Sequence, residues 1–184
     1  RCGKTTVANN LFKKYNNYEI IRGDVYSTAI KSIIRKKETP ENEIKKDIMT
    51  EEDMDELMYN IVKQMEIETE RTNQKIILET NDISVEKAIE YFKSDFDIYC
   101  LGMPNETVES LAYQIRENDE ENDWTNYIGD ERLKTICNDV IKNSKNDRAK
   151  CERYGINFFD TSGNRNEKID QIVKEIELKS IDKE

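Results

Sequence analysis

The sequence predicts an α/β fold with a mainly parallel sheet, and three observations carry that expectation. Short apolar runs rich in β-formers alternate along the chain with stretches of helical periodicity. Each run is bounded by Gly, Pro, Asn or Asp, as buried strands in such sheets are. The chain also opens on Arg1-Cys2-Gly3-Lys4-Thr5-Thr6 directly before a helical pattern. A turn of that composition joins a strand to a helix, so a first strand is expected ahead of Arg1.

Taken in order, the first helix is expected over 4–15, with Val7, Ala8, Leu11 and Phe12 on one face. A strand follows over 18–22. Helices over 26–37 and 51–72 then form a helical insertion across 25–74, too long for a simple crossover. Thr50 with Asp53 gives the second of these a capping-box-like start. The strand over 75–79 is apolar through Ile76, Ile77 and Leu78 and ends in acid. A helix over 85–93, a strand over 97–101 and a helix over 106–118 come next. Residues 117–130 are polar and hold the only tryptophan, Trp124; they read either as a solvated acidic connection or as a lid. A long helix over 131–154 ends at Gly155, a C-cap glycine, before a strand over 157–160 and a helix over 166–178. No internal repeat and no Gly-, Pro- or Ser-rich linker interrupts the pattern, so a single domain over 1–184 is expected.

Composition narrows the function classes. Hydrophobic residues make up 36% and charged residues 37%, which gives a folded chain with a heavily charged surface. The net charge of −10 argues against a nucleic-acid partner, which needs a basic stripe. No apolar run approaches the roughly 20 residues that cross a bilayer, and no apolar segment of a signal peptide follows the first basic residues. Histidine is absent, which removes Ser-His-Asp and Cys-His catalysis and any histidine-ligated metal. Cys2, Cys100, Cys137 and Cys151 show no C-x-x-C spacing and read as reduced thiols of a cytoplasmic protein. Cys2 is either an oxidation-sensitive position or a plain loop residue.

The chemistry centres on the opening turn. Against the phosphate-binding motif G-x-x-x-x-G-K-[ST], it is the back half, truncated within the Walker A motif. Arg1, Cys2, Gly3, Lys4, Thr5 and Thr6 would bind the nucleotide. Gly3 lets backbone N–H groups approach phosphate oxygens, Lys4 neutralises the β- and γ-phosphates, and Thr5 offers a hydroxyl to Mg²⁺. The helix that follows turns its positive end to the same anion. Asp24, at the carboxyl end of the strand over 18–22, either takes a proton from an acceptor hydroxyl, holds Mg²⁺ through water, or caps the next helix. Glu79 and Asp82, after the next strand, are candidate metal-shell carboxylates, or simply acids where a turn begins. Arg116 and Arg132 bracket the polar loop and would bring a guanidinium fork to the transferred phosphoryl group. Arg148 and Arg153 read as ordinary i,i+4 partners on the long helix. Thr161, Ser162 and Gly163, after the last strand, would hold a nucleobase through backbone groups or form an ordinary turn.

These residues support a named resemblance. The order GKTT-helix, IIRGDVYSTAIKS, IILETND, a lid-like loop, then FFDTSGN resembles the adenylate-kinase-like group of P-loop phosphotransferases, which includes nucleotide, shikimate and gluconate kinases. Residues 23–32, GDVYSTAIKS, are similar to the G-D-M-L-R-x-A-[IV]-x-S segment of adenylate kinases. The resemblance implies a three-layer P-loop NTPase fold with a parallel sheet of strand order 2-3-1-4-5. It also implies ATP with Mg²⁺, an acceptor site over 25–74 and a lid over 116–132. Two acceptor-phosphate arginines of that family are missing: one falls at Ser27, and the D-G-F-P-R segment is replaced by Glu79-Thr80-Asn81-Asp82-Ile83. The leading expectation is therefore an ATP-dependent kinase of a small-molecule hydroxyl, with Arg22 or Arg35 available to an anionic acceptor. A nucleoside monophosphate kinase is the alternative. An ATP-binding switch or ATPase module that transfers to no small molecule is a third reading. Its GTPase form rests on Ser144-Lys145-Asn146-Asp147, which faintly resembles [NT]-K-x-D but lies within a helical pattern.

Overall fold

In the computed structural model, residues 2–15, 17–37, 50–72, 74–92, 96–121 and 123–181 are described; Arg1 and the side chain of Arg35 lie outside the described residues. Helix α1 spans Lys4–Lys14, strand β1 Tyr18–Arg22, α2 Gly23–Lys37, α3 Glu51–Thr72, β2 Lys75–Glu79 and α4 Val85–Phe92. Then come β3 Tyr99–Gly102, α5 Val108–Glu117, a 3₁₀ turn Trp124–Tyr127, α6 Asp130–Tyr154, β4 Asn157–Asp160 and α7 Arg165–Ile181.

The expected three-layer fold around a five-stranded sheet is not what the described residues form. They make two separate parallel pairs: β1 joins only β2, and β3 joins only β4. The registers run from Tyr18 opposite Lys75 to Arg22 opposite Glu79, and from Tyr99 opposite Asn157 to Gly102 opposite Asp160. The expected order 2-3-1-4-5 is corrected accordingly: local apolar runs mark strands but do not decide which of them pair. Among the described residues each ladder stops at two strands of four or five residues, and about two thirds of those residues are helical. Strand positions were readable from the apolar runs, whereas one sheet of all the strands was expected and is not formed.

The chain divides into two compact units, one of residues 1–7 with 97–184 and one of residues 8–96. In the first, Met103, Leu111, Ile115, Leu133, Cys137 and Ile141 bury together with Cys2, and Leu101, Val108 and Val140 pack against them. Helix α5 begins at Thr107, whose hydroxyl accepts from the Ser110 N–H at 3.1 Å, and carries Arg116 in its last turn, where a cation suits the helix dipole. Helix α6 stops at Gly155, which takes the left-handed conformation (φ 68°) expected of a C-cap glycine. Gly102, at the end of β3, lies so close to α6 that an added Cβ would stand 2.9 Å from Ser144 Cβ and 2.7 Å from Phe158 Cζ.

In the second unit, Ile21, Met54, Met58, Val62 and Phe92 are buried, and Tyr59 packs its ring 4.8 Å from Tyr91 and 6.0 Å from Phe92. The capping box of α3 forms as the sequence suggests: the Thr50 N–H donates to the Asp53 carboxylate at 2.7 Å, and the Asp53 N–H to Thr50 Oγ1 at 3.2 Å. Among the described residues, no helix is long and apolar enough to cross a membrane.

Candidate functional site: a glycine turn at the start of a helix

The opening turn belongs to the first unit, and its geometry begins with Gly3. Its φ of +101° is a conformation that L side chains rarely adopt, and a Cβ would stand 2.8 Å from Ile169 Cδ1. Its carbonyl accepts the first helical hydrogen bond, from the Val7 N–H at 3.0 Å. The first-turn N–H groups of α1 thus have no acceptor within the helix, and Gly3 offers no side chain to cap them. A backbone of this shape, at the positive end of an 11-residue helix, favours an anion.

Thr161 holds that turn in place. It is fully buried, and its hydroxyl donates to the Cys2 carbonyl at 3.0 Å and the Gly102 carbonyl at 3.2 Å, while its N–H bonds Gly102 O at 2.8 Å. One side chain therefore ties the turn to the ends of β3 and β4. Lys4 Nζ reaches Cys2 Sγ at 3.9 Å, a weak contact, and among the described residues no carboxylate ion-pairs with it. Thr5 is exposed at the start of the helix.

The loop after β4 is engaged with β4, with the connection after β3 and with α7. The Ser162 N–H donates to Asp160 Oδ1 at 2.9 Å and the Gly163 N–H to Glu106 Oε2 at 2.9 Å; Lys168 Nζ donates to the Ser162 carbonyl, and Ser162 Oγ accepts from the Asn105 N–H at 3.1 Å. So the backbone donors of Thr161, Ser162 and Gly163, expected to meet a nucleobase, already have internal acceptors. For the Glu106 carboxyl, burial raises the pKa but is outweighed by donors from Gly163, Ser110, Gln114 and Thr107, leaving it below its ordinary value. For Asp160, burial is likewise outweighed, by Ser162, Asn105 and Lys168. Burial pushes the Cys100 thiol well up, and Cys151 and Asp147 add to that, so it is a poor nucleophile.

Of the expected lid cations, Arg132 is exposed on α6. Arg116 is used inside the fold: its Nη1 donates to the Thr125 carbonyl at 2.6 Å, and its Nη2 to the Ile128 carbonyl at 2.8 Å and to Asp130 at 3.0 Å. The polar loop is thereby fastened to α5. Arg148 pairs with Glu152 at 3.0 Å, one helical turn on. Ser144-Lys145-Asn146-Asp147 lies within α6, with Ser144 buried against the Met103 N–H, so it is no loop that could read a guanine.

The remaining candidates sit in the second unit, at the carboxyl ends of β1 and β2. Asp24, in the first turn of α2, accepts from the Asn81 N–H at 3.2 Å and its side-chain amide at 3.3 Å. Asp82 accepts from Ser27 Oγ at 2.6 Å and lies 3.8 Å from Lys31 Nζ. Glu79 ends β2, and Arg22 donates to Asn9 at 3.1 Å. Among the described residues, no group of three or more Cys, Asp or Glu is arranged to hold a metal ion by itself. Of the residues expected to meet a metal, Thr5 belongs to the first unit and Glu79 and Asp82 to the second.

Sequence reasoning missed Arg165. It opens α7 next to the turn, with Nε 3.5 Å from the Cβ position of Gly3 and Nη2 3.5 Å from Thr6 Oγ1. One signal was present: a cation at a helix N-terminus opposes the dipole, and a residue that breaks a local rule invites a reason. No protein-family model, curated protein or solved structure matches this chain.

Proposed function

We propose that this chain binds the polyphosphate of ATP with Mg²⁺ at the Gly3–Thr6 turn, as the donor step of phosphoryl transfer to a small-molecule hydroxyl. A single observation carries the reading. The G-K-T-T sequence occupies a positive-φ glycine turn at a helix N-terminus, with a lysine that no described carboxylate neutralises. In a chain of net charge −10, a cation with no carboxylate among the described residues, at the positive end of a helix, has an anion as its natural partner.

Phosphoryl transfer is mainly positioning and charge stabilisation, so the residues needed are few. Lys4 would neutralise the β/γ oxygens, Thr5 would offer its hydroxyl to Mg²⁺, and the first-turn N–H groups would orient the chain of phosphates. Asp24 has the chemistry of a general base, but it belongs to the other unit, and no role at the turn is assigned to it here. Four free thiols go with a reducing compartment, and we read the protein as cytoplasmic on that ground.

The test is calorimetric titration with ATP, with and without Mg²⁺, on the wild-type chain and on Lys4→Ala, with GTP as comparison. The reading expects Mg²⁺-sensitive ATP binding that weakens at least about tenfold in the variant, the loss expected for a charge-assisted contact. Radiolabelled γ-phosphate transfer to a panel of small hydroxyl compounds and nucleoside monophosphates then identifies the acceptor class. Wild-type protein that binds no ATP, or a Lys4→Ala protein that binds it equally well, removes the reading.

A further inference from the structure

We infer that Arg165 is a second phosphate-binding cation of the opening turn, so that the turn takes a di- or triphosphate chain rather than a single phosphate; this rests on the phosphate-site reading above. The observation is an arginine with no carboxylate partner among the described residues. Its Nε is buried without a hydrogen-bond partner, and its one hydrogen bond among the described residues is the long 3.5 Å contact from Nη2 to Thr6 Oγ1. It stands at the first position of α7, where the helix dipole adds to its positive charge instead of offsetting it.

Guanidinium groups in folded chains are normally satisfied by carboxylates or carbonyls, because a charged donor that loses water and gains nothing is destabilising. This chain shows what satisfaction looks like at Arg116, which meets two carbonyls and two carboxylates. At Arg165 the acceptor is missing, and the surroundings say which kind is missing. Gly3 and Thr6 flank the group, Lys4 adds a second positive charge at the same turn, and both helix N-termini, of α1 and of α7, contribute positive potential. Two cations and two positive helix ends around one glycine turn exceed what a monoanion needs. The planar fork suits paired phosphate oxygens, whereas Lys4 acts as a point charge. A phosphate oxygen would occupy the Nε donor, which has no partner among the described residues.

The experiment uses the full chain with three variants, Arg165→Met, Arg165→Lys and Lys4→Ala, titrated with Mg-ATP and with inorganic tripolyphosphate, and melted with and without each ligand. Arg165→Met is expected to weaken both ligands by the same factor, about tenfold to a hundredfold. Arg165→Lys keeps the charge and loses the fork, and is expected to fall between wild type and Arg165→Met. Because the arginine has an unsatisfied donor in the free protein, the Arg165→Met melting temperature without ligand is expected to stay level or rise, while its ligand-induced rise shrinks. A melting temperature that falls with affinity retained assigns Arg165 to packing and overturns the inference. Weakening of ATP alone, with tripolyphosphate unaffected, assigns it to the nucleoside and also overturns it. If Lys4→Ala loses binding and both Arg165 variants keep it, the phosphate site stands and this inference alone falls. If the wild type binds neither ligand, the site reading falls first and takes the inference with it.

Discussion

Replacing Arg116 by methionine should release the polar loop from α5 and destabilise the first unit by about 2–4 kcal/mol. The magnitude comes from the contacts. Two hydrogen bonds run from the guanidinium to the Thr125 and Ile128 carbonyls at 2.6 and 2.8 Å. Bonds from a charged donor contribute about 1.5–3 kcal/mol each, and the freed carbonyls recover part of that from water. The pair with Asp130, whose side chain is 81% exposed, adds little. Asp119 matters more: its side chain is 3% exposed, and it loses a cation 3.7 Å away. Methionine preserves the apolar stem, so the change reads the fork rather than the packing. The only tryptophan lies in the segment being tied, so Trp124 emission and anisotropy during urea unfolding report on it directly. Far-UV circular dichroism follows the helices in parallel, since a chain of two units need not unfold in one step. A shift of the Trp124 transition by roughly 1–2 M urea is expected, with higher native-state mobility of the indole. Coincident wild-type and variant transitions with unchanged anisotropy would show that the fork holds nothing.

Two further outcomes follow from the same unit. Glu106→Gln should destabilise the protein at neutral pH, because four donors converge on that carboxylate. The folded pKa lies below the ordinary 4.5, so the contribution is fully present above that value and lost as pH falls through the lower folded value. Thermal melts of variant and wild type should therefore differ at pH 7 and converge in strong acid; a constant gap across that range would contradict the linkage. Gly102→Ala should lower the melting temperature of the first unit through a cost of about 1–3 kcal/mol, since its Cβ would overlap Phe158 and Ser144. An unchanged melt would mean that β3 and α6 separate more easily than their packing indicates.

Local structure was legible wherever a local cause fixed it. The Thr50–Asp53 box, the left-handed Gly155 and the apolar runs of all four strands follow from side chains within a few residues of each other. Boundaries moved in both directions: α2 begins earlier, at Gly23 rather than 26, where Gly23 packs directly against Thr80 and Met58, and the third strand begins later, at Tyr99 rather than 97. What the pattern could not supply was the pairing of strands into one sheet, because pairing is a long-range property and two ladders of two strands carry the same local signal as one of four. The site was half legible for the same reason. Gly3 and Lys4 stand in one short motif, whereas the partners of Thr161 and Arg165 lie some 159 residues away in sequence.

The residues around the turn break local rules together, and that coincidence is the argument for a ligand. An exposed cation with no carboxylate partner among the described residues is ordinary, as Arg132 shows, because surface ion pairs contribute little. A positive-φ glycine is ordinary too, as Gly155 shows at a helix end. Arg165 is different in kind: it sets a charge against a helix dipole, about 0.3–1 kcal/mol unfavourable, and leaves a buried donor unmet, about 1–3 kcal/mol more. Both penalties fall at the same point, beside Gly3, Lys4 and Thr6, and both are relieved by a single change, the arrival of an oxyanion. A purely structural arginine would find its compensation within the protein, as Arg116 does with two carbonyls and two carboxylates. Uncompensated cost persists in a fold where something outside the chain supplies the missing term. On the proposed reading the missing term is negative charge on oxygen, so the decisive comparison is between ATP and a polyphosphate that has no base to recognise.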